Sequence, residues 1–285
     1  MMCSSRVFIQ DKTTGGVLMV PCGRCYACKL NKARAWSVRI INEVKHSPSS
    51  CFITLTYNPE NLPKNGSVVV EDCQKFLKRL RKNTGKKIRY FLGSEYGEEG
   101  KRPHYHLICF GIGKEERPTI DKSWGLGFVD VSDVTLDRAL YVAKYTLKKL
   151  SGPDSGEYAR RGIKPEFALM SRGGRGVGQG GIGSAYVEEN KEWIRRNGFV
   201  IQKGVKVALP RFYADKVFNT DELKKELHEK RQKVINEGFE LAREALARSG
   251  QSGLLGFNVA DYQQMGRRAK EVELQAQENL KKRKL

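Results

Sequence analysis

The sequence predicts an α+β fold, with a central antiparallel sheet flanked by helices, a Cys-rich segment before it and a helical tail after it. Three observations carry this. Between residues 51 and 149, short β-branched and aromatic runs alternate with helix-periodic runs in the order strand, helix, strand, strand, strand, helix, which suits an antiparallel sheet covered by helices. Upstream, three cysteines crowd into Cys22–Cys28. From about Asn219 the chain turns charged and helix-forming. The expected segments are 1–50 (Cys-rich, with a basic helix), 51–150 (sheet core), 151–218 (Gly-rich loop and accessory region) and 219–285 (charged helical tail).

Gly16–Val20 reads as a strand leading into Cys22-Gly23-Arg24-Cys25-Tyr26-Ala27-Cys28. Cys-x-x-Cys is the spacing at which a turn brings two thiolates onto one structural Zn²⁺. Cys28 adds a third ligand, and Cys3 is the expected fourth, with Cys51 as second choice; an iron–sulfur ligand set or a plain reduced cluster are the alternatives. Lys29–Lys45 follows as an amphipathic helix with Leu30, Ala33, Trp36, Ile40 and Val44 at helical spacing. Ser47-Pro48-Ser49-Ser50 ends it.

Cys51–Tyr57 is the first core strand, with Thr54 and Thr56 on one face and Leu55 on the other. Val70–Lys82 is a helix begun by Glu71-Asp72, with Phe76, Leu77 and Leu80 on its inner side. Arg89–Gly93 is a strand running into a polar, glycine-bearing return that contains Glu95. The return leads to the strand Arg102–Gly111, where alternation puts His104, His106, Ile108 and Phe110 on one face and Tyr105, Leu107 and Cys109 on the other. Two residues of rise separate the imidazoles by roughly 7 Å, near enough to share a cation. Two histidines on a wet sheet face without a ligand are the plainer alternative. Gly125–Val131 is a further strand. Ala139–Lys149 is helical, with Tyr141 and Tyr145 one turn apart on one face and each followed three residues later by a lysine, Lys144 and Lys148.

Beyond Ser151 the Arg172–Ser184 run is glycine-rich and basic. No lysine follows its last glycine, which excludes a Walker A loop, although backbone amides with Arg172 and Arg175 suit DNA phosphates. Glu188–Arg196 reads as helix, and Gly198–Gln202 and Lys206–Leu209 as strands. Pro210-Arg211-Phe212-Tyr213 offers either a base-stacking cluster around Arg211 or a packed surface cluster. Thr220 suits a helix N-cap. The last turns end in Lys281-Lys282-Arg283-Lys284, a basic arm.

A net charge of +20 favours a polyanionic partner, with nucleic acid foremost. No apolar run is long enough for a bilayer span and the first residues lack a signal-peptide core, so no membrane partner and a cytosolic setting are expected. There, seven cysteines point to metal binding or burial rather than a disulfide framework.

At Phe52-Ile53-Thr54-Leu55-Thr56-Tyr57, at His104-Tyr105-His106 and at the twice-occurring Tyr-x-x-Lys pattern, the chain resembles the HUH superfamily of single-strand DNA endonucleases. With its paired tyrosines and Cys-rich start it looks like the rolling-circle replication initiators of gokushovirus-like microviruses. The resemblance covers about Cys51 to Leu150 and makes 51–150 an HUH endonuclease core. It implies that His104, His106 and Glu95 hold a catalytic Mg²⁺ or Mn²⁺, that Tyr141 or Tyr145 attacks DNA to leave a 5′-phosphotyrosine link, and that Lys144 and Lys148 supply positive charge. It further implies single-stranded origin DNA as substrate, host helicase and DNA polymerase as partners, and the host bacterial cytoplasm as the place of action. An HUH transposase or relaxase, and a zinc-bearing nucleic-acid-binding protein without catalysis, are the alternatives.

Overall fold

The computed structural model describes residues 3, 5–10, 16–97, 100–148, 158, 160–173 and 180–248. They fall into two compact units, one of residues 32–191 and the other of 1–31 with 192–285. The basic arm at 281–284 and Arg175 lie outside the described residues.

The 32–191 unit is built on a five-stranded sheet: β3 (Ser50–Tyr57), β4 (Arg89–Tyr96), β5 (Pro103–Phe110), β6 (Gly127–Ser132) and β7 (Ala168–Met170), in the order β6-β3-β5-β4-β7. Every neighbouring pair is antiparallel. Strand alternation on β5 is as expected. Tyr105, Leu107 and Cys109 join Ile53, Leu55 and Tyr57 of β3 in a core under helices α2 (Val70–Thr84) and α3 (Arg117–Trp124). Ile108 and Phe110 turn the other way and join Phe52 and Phe91 in a second core with Ile40 of helix α1 (Tyr26–His46) and with Ala139 and Val142 of α4 (Leu136–Lys148). The sheet is thus covered on both faces, and the histidine face carries α1 and α4.

Local chemistry explains the element ends. In α2, Glu71 and Asp72 sit in the first turn and Arg81 and Lys82 in the last, complementing the helix dipole. Gly85 closes the helix at φ +64°, donating its N–H to Arg81 O, a conformation that costs a side-chain-bearing residue more. Periodicity does not announce helix α3. Its signals are terminal ones, Pro118 in the first turn and Gly125 at φ +60° after the last. It delivers Trp124, fully buried, whose Nε1 donates to Thr56 O at 2.9 Å.

Three other expectations are corrected. Strand β4 runs on through Tyr96, so Glu95 lies within the strand rather than in the return. The stretch 188–196 is two helices, Ser184–Glu189 and Lys191–Asn197, instead of one. Helix α1 starts at Tyr26, which puts Cys28 in its first turn.

The other unit contains two small hairpins, β1 (Val7–Gln10) with β2 (Val17–Val20) and β8 (Phe199–Gln202) with β9 (Val205–Ala208). It also holds a short helix over Arg211–Val217 and a long one over Asp221–Arg248. Thr220 caps the long helix, its Oγ1 accepting from Leu223 N at 3.3 Å.

Candidate active site

Antiparallel register assembles the site. Thr56 of β3, His104 of β5 and Glu95 of β4 are directly opposite one another across three strands, and Thr54, His106 and Gly93 form the next row. Extending β4 through Tyr96 is therefore what brings Glu95 beside His104. The two imidazoles lie parallel, with centroids 6.4 Å apart and an interplanar angle of 4°. His106 Nε2 is 3.2 Å from Glu95 Oε2. Across from the sheet, α4 presents Tyr141, whose hydroxyl donates to the same Glu95 oxygen at 2.8 Å and whose ring meets the His106 ring edge-on at 5.2 Å. Two histidines, a carboxylate and a phenol, far apart in sequence, thus converge at one end of the histidine face.

Each imidazole is held from behind. His104 Nδ1 lies 2.9 Å from the carbonyl of Arg102, so the proton belongs on Nδ1 and the lone pair on Nε2. His106 Nδ1 lies 3.2 Å from Thr54 Oγ1, which likewise accommodates an Nδ1 proton and an Nε2 lone pair. Such contacts fix the tautomer and ring orientation of metal-binding histidines. Gly97 leaves room for His104, since a Cβ there would stand 2.8 Å from His104 Cε1. The sequence placed Thr54 near the site but held no sign of its bond to His106, because the two are 52 residues apart.

The donor set of two imidazoles and a carboxylate has the chemistry to hold a divalent transition ion or Mg²⁺. It is a loose set. Among the described residues, the group whose ligand atoms all lie within 4.8 Å of one another is Cys3, Cys22, Cys25 and Cys28, in the other unit. Cys25 Sγ is 3.8 Å from Cys3 Sγ, the separation of about 3.8 Å that tetrahedral Zn–S bonds of ~2.3 Å impose. The Cys25 amide donates to Cys22 Sγ at 3.3 Å and the Cys22 amide to Cys3 Sγ at 3.2 Å. The Cys25 amide is the main influence holding the Cys22 thiol below its ordinary range, which favours the ligating thiolate. Cys3 thus joins the group as first choice for fourth ligand. Cys51, the second choice, is buried in the sheet core with its thiol pushed up to about 12 by burial. This four-cysteine group is able to hold a metal ion.

Lys144 is exposed on α4, one turn beyond Tyr141. The side chains of Tyr145 and Lys148 lie outside those described. Arg172 is exposed just after β7, in the 32–191 unit, whereas Arg211 is exposed in the other unit beside Asp215. Tyr213 is fully buried, which removes it from any base-stacking cluster around Arg211.

Residues 50–150 match the family model of the ORF2-type replication-associated proteins. The replication-associated protein ORF2 of Spiroplasma virus 4 is 34% identical over 227 residues, covering 70% of this chain and 66% of that protein. The chain belongs to this replication-associated family. Further relatives are the replication-associated protein VP4 of Bdellovibrio phage phiMH2K, 28% identical over 219 residues (68% of this chain, 66% of that protein), and the replication-associated protein ORF4 of Chlamydia phage 1, 23% identical over 219 residues (69% and 53%). The chain therefore spans just under two thirds of the length of the first two relatives and about half of the third. No solved structure matches it. The family match coincides with the segment that carries β3, Glu95, both histidines and the tyrosine helix. No helix among the described residues is long and apolar enough to cross a membrane.

Proposed function

We propose that this protein is a metal-dependent single-strand DNA endonuclease and strand transferase that opens and rejoins the viral strand at the origin, driving rolling-circle replication of a circular single-stranded DNA phage genome. The observation that carries this reading is the shared carboxylate: Glu95 Oε2 accepts from the Tyr141 hydroxyl at 2.8 Å and stands 3.2 Å from His106 Nε2. A phenol held against an imidazole–carboxylate set is a nucleophile placed beside a metal site.

His104, His106 and Glu95 would hold the ion. When bound, Mg²⁺ or Mn²⁺ supplies Lewis-acid polarisation of the scissile phosphate and offsets charge developing there. Tyr141 Oη attacks the phosphorus; the Tyr–O–P bond forms and the P–O3′ bond breaks. The phenolic proton passes to a base, for which Glu95 is the adjacent acceptor, and the departing 3′ oxygen takes up a proton from solvent. The products are a 5′-phosphotyrosine link and a free 3′-hydroxyl, and reversal rejoins the strand. A phenol titrates near ~10, so the reaction needs positive charge close by, to which Lys144 and Lys148 contribute. Tyr145, one turn on, gives a second nucleophile, so that one tyrosine retains the parental 5′ end while the other cuts the regenerated origin.

The four-cysteine group is read as a structural Zn²⁺ site. Host helicase and polymerase, acting in the bacterial cytoplasm, extend the released 3′ end.

The test is incubation of the protein with labelled single-stranded origin DNA and Mn²⁺, followed by a denaturing gel. A chelator-sensitive protein–DNA adduct, lost in His104→Ala and in the Tyr141→Phe/Tyr145→Phe double variant, is expected. Intact binding with no adduct on a cleavable origin would instead favour a zinc-bearing DNA-binding protein without catalysis.

A further inference from the structure

The row of cross-strand partners that contains the candidate ligands does not end at β3. Thr56, opposite His104, is also opposite Phe128 of β6, so Phe128, Thr56, His104 and Glu95 form one continuous row across four strands. Phe128 is 65% exposed, on the same face as the histidines and on the edge strand of the sheet. A large aromatic on a covered sheet face ordinarily packs under a helix, as Phe52 and Phe91 do here. Leaving it in water forgoes that burial.

Its backbone is also held firmly. Gly127, at φ +155°, lets β6 approach so closely that a Cβ there would stand 2.4 Å from Thr56 O, and Leu126 O accepts from Asn58 N at 3.0 Å. Asp130, exposed one row away and opposite Thr54, repels phosphates and so favours a base rather than the backbone over this corner.

We infer that Phe128 is a stacking platform for an unpaired base of the DNA strand, adjacent to the phosphate that His104, His106 and Glu95 address. Two interstrand gaps separate it from His104, about 10 Å, which sets the stacked base beside the scissile phosphate but not upon it. The strong positive charge of the chain supplies the phosphate attraction that a single ring does not. The inference rests on the proposed nicking activity for its placement, whereas stacking itself is measurable without cleavage.

The full-length protein is titrated against a fluorescein-labelled single-stranded oligonucleotide of origin sequence and a set of the same strand carrying 2-aminopurine at successive positions. Phe128→Leu keeps apolar bulk and removes the π face; Phe128→Trp restores it. Base–aromatic stacking predicts at least about five-fold weaker single-strand binding for Phe128→Leu, loss of 2-aminopurine quenching confined to one position, and recovery of both in Phe128→Trp. Adduct formation by Phe128→Leu should fall at low DNA concentration and recover at saturation. Unchanged affinity and quenching in Phe128→Leu would overturn the inference. Failure of the nicking reading would show separately, as absence of an adduct from the wild-type protein.

Discussion

Replacing Thr54 by valine tests whether His106 is a metal ligand oriented from behind. The two residues are directly opposed in the β3–β5 ladder, and Thr54 Oγ1 lies 3.2 Å from His106 Nδ1. Valine is close to threonine in shape and favoured in strands, so the sheet should tolerate the change. What is lost is one hydrogen bond, worth about 1 kcal/mol net, with a penalty of about 1–3 kcal/mol if Nδ1 is left unsatisfied. The His106 side chain is only 12% exposed, so water does little to replace the partner. Loss of an outer partner of a metal-binding histidine typically weakens the metal by about 10–100-fold. Adduct formation measured over a Mn²⁺ titration should therefore shift its midpoint upward by about ten-fold or more, recover at saturating Mn²⁺, and return toward wild type in Thr54→Ser. A Thr54→Val curve superimposing on the wild-type one, with adduct formation intact, would refute the role assigned to this bond.

The remaining expectations concern four other places. Tyr141→Phe removes the hydroxyl that Glu95 holds and should abolish whatever adduct mass spectrometry maps to residue 141, while single-strand affinity measured by anisotropy stays within about two-fold, since one exposed hydroxyl contributes little to phosphate-driven binding. Cys25→Ser should lower bound zinc, read by elemental analysis of purified protein, and reduce thermal stability, because a structural ion's binding free energy is folding free energy. Trp124→Phe leaves Thr56 O without its donor and a gap in a fully buried site, for which denaturant unfolding should report a loss of roughly 2–4 kcal/mol. His46 is pulled down by burial but pushed up more by the Asn42 carbonyl and Glu189, so its folded pKa lies above the ordinary 6.5. Its stabilising contribution is then complete below about 6.5 and lost as pH rises through the folded value. His46→Gln should therefore destabilise at pH 5.5 and have little effect at pH 8.5, by under about 1 kcal/mol because Glu189 is largely exposed.

What depends on neighbours along the chain was legible in the sequence. Strand alternation put His104 and His106 on one face of β5, helical spacing put a lysine one turn beyond Tyr141, and Cys-x-x-Cys marked a turn that gathers thiolates; these follow from backbone periods of 2 and 3.6 residues. Where a signal lay in an element's ends rather than its period, as in the eight-residue helix α3 with Pro118 and Gly125, periodicity was too short to register. Contacts across long sequence separation came from the fold alone. The register of β4 against β5 placed Glu95 opposite His104, and the packing of α4 on the histidine face carried Tyr141 onto a carboxylate 46 residues away. The fold joined Cys3 to a turn 19 residues downstream, bonded Thr54 to His106, buried Tyr213 and left Phe128 in water. Such contacts are set by which apolar faces bury one another, a choice made by the whole core at once, and so no local stretch of sequence encodes them.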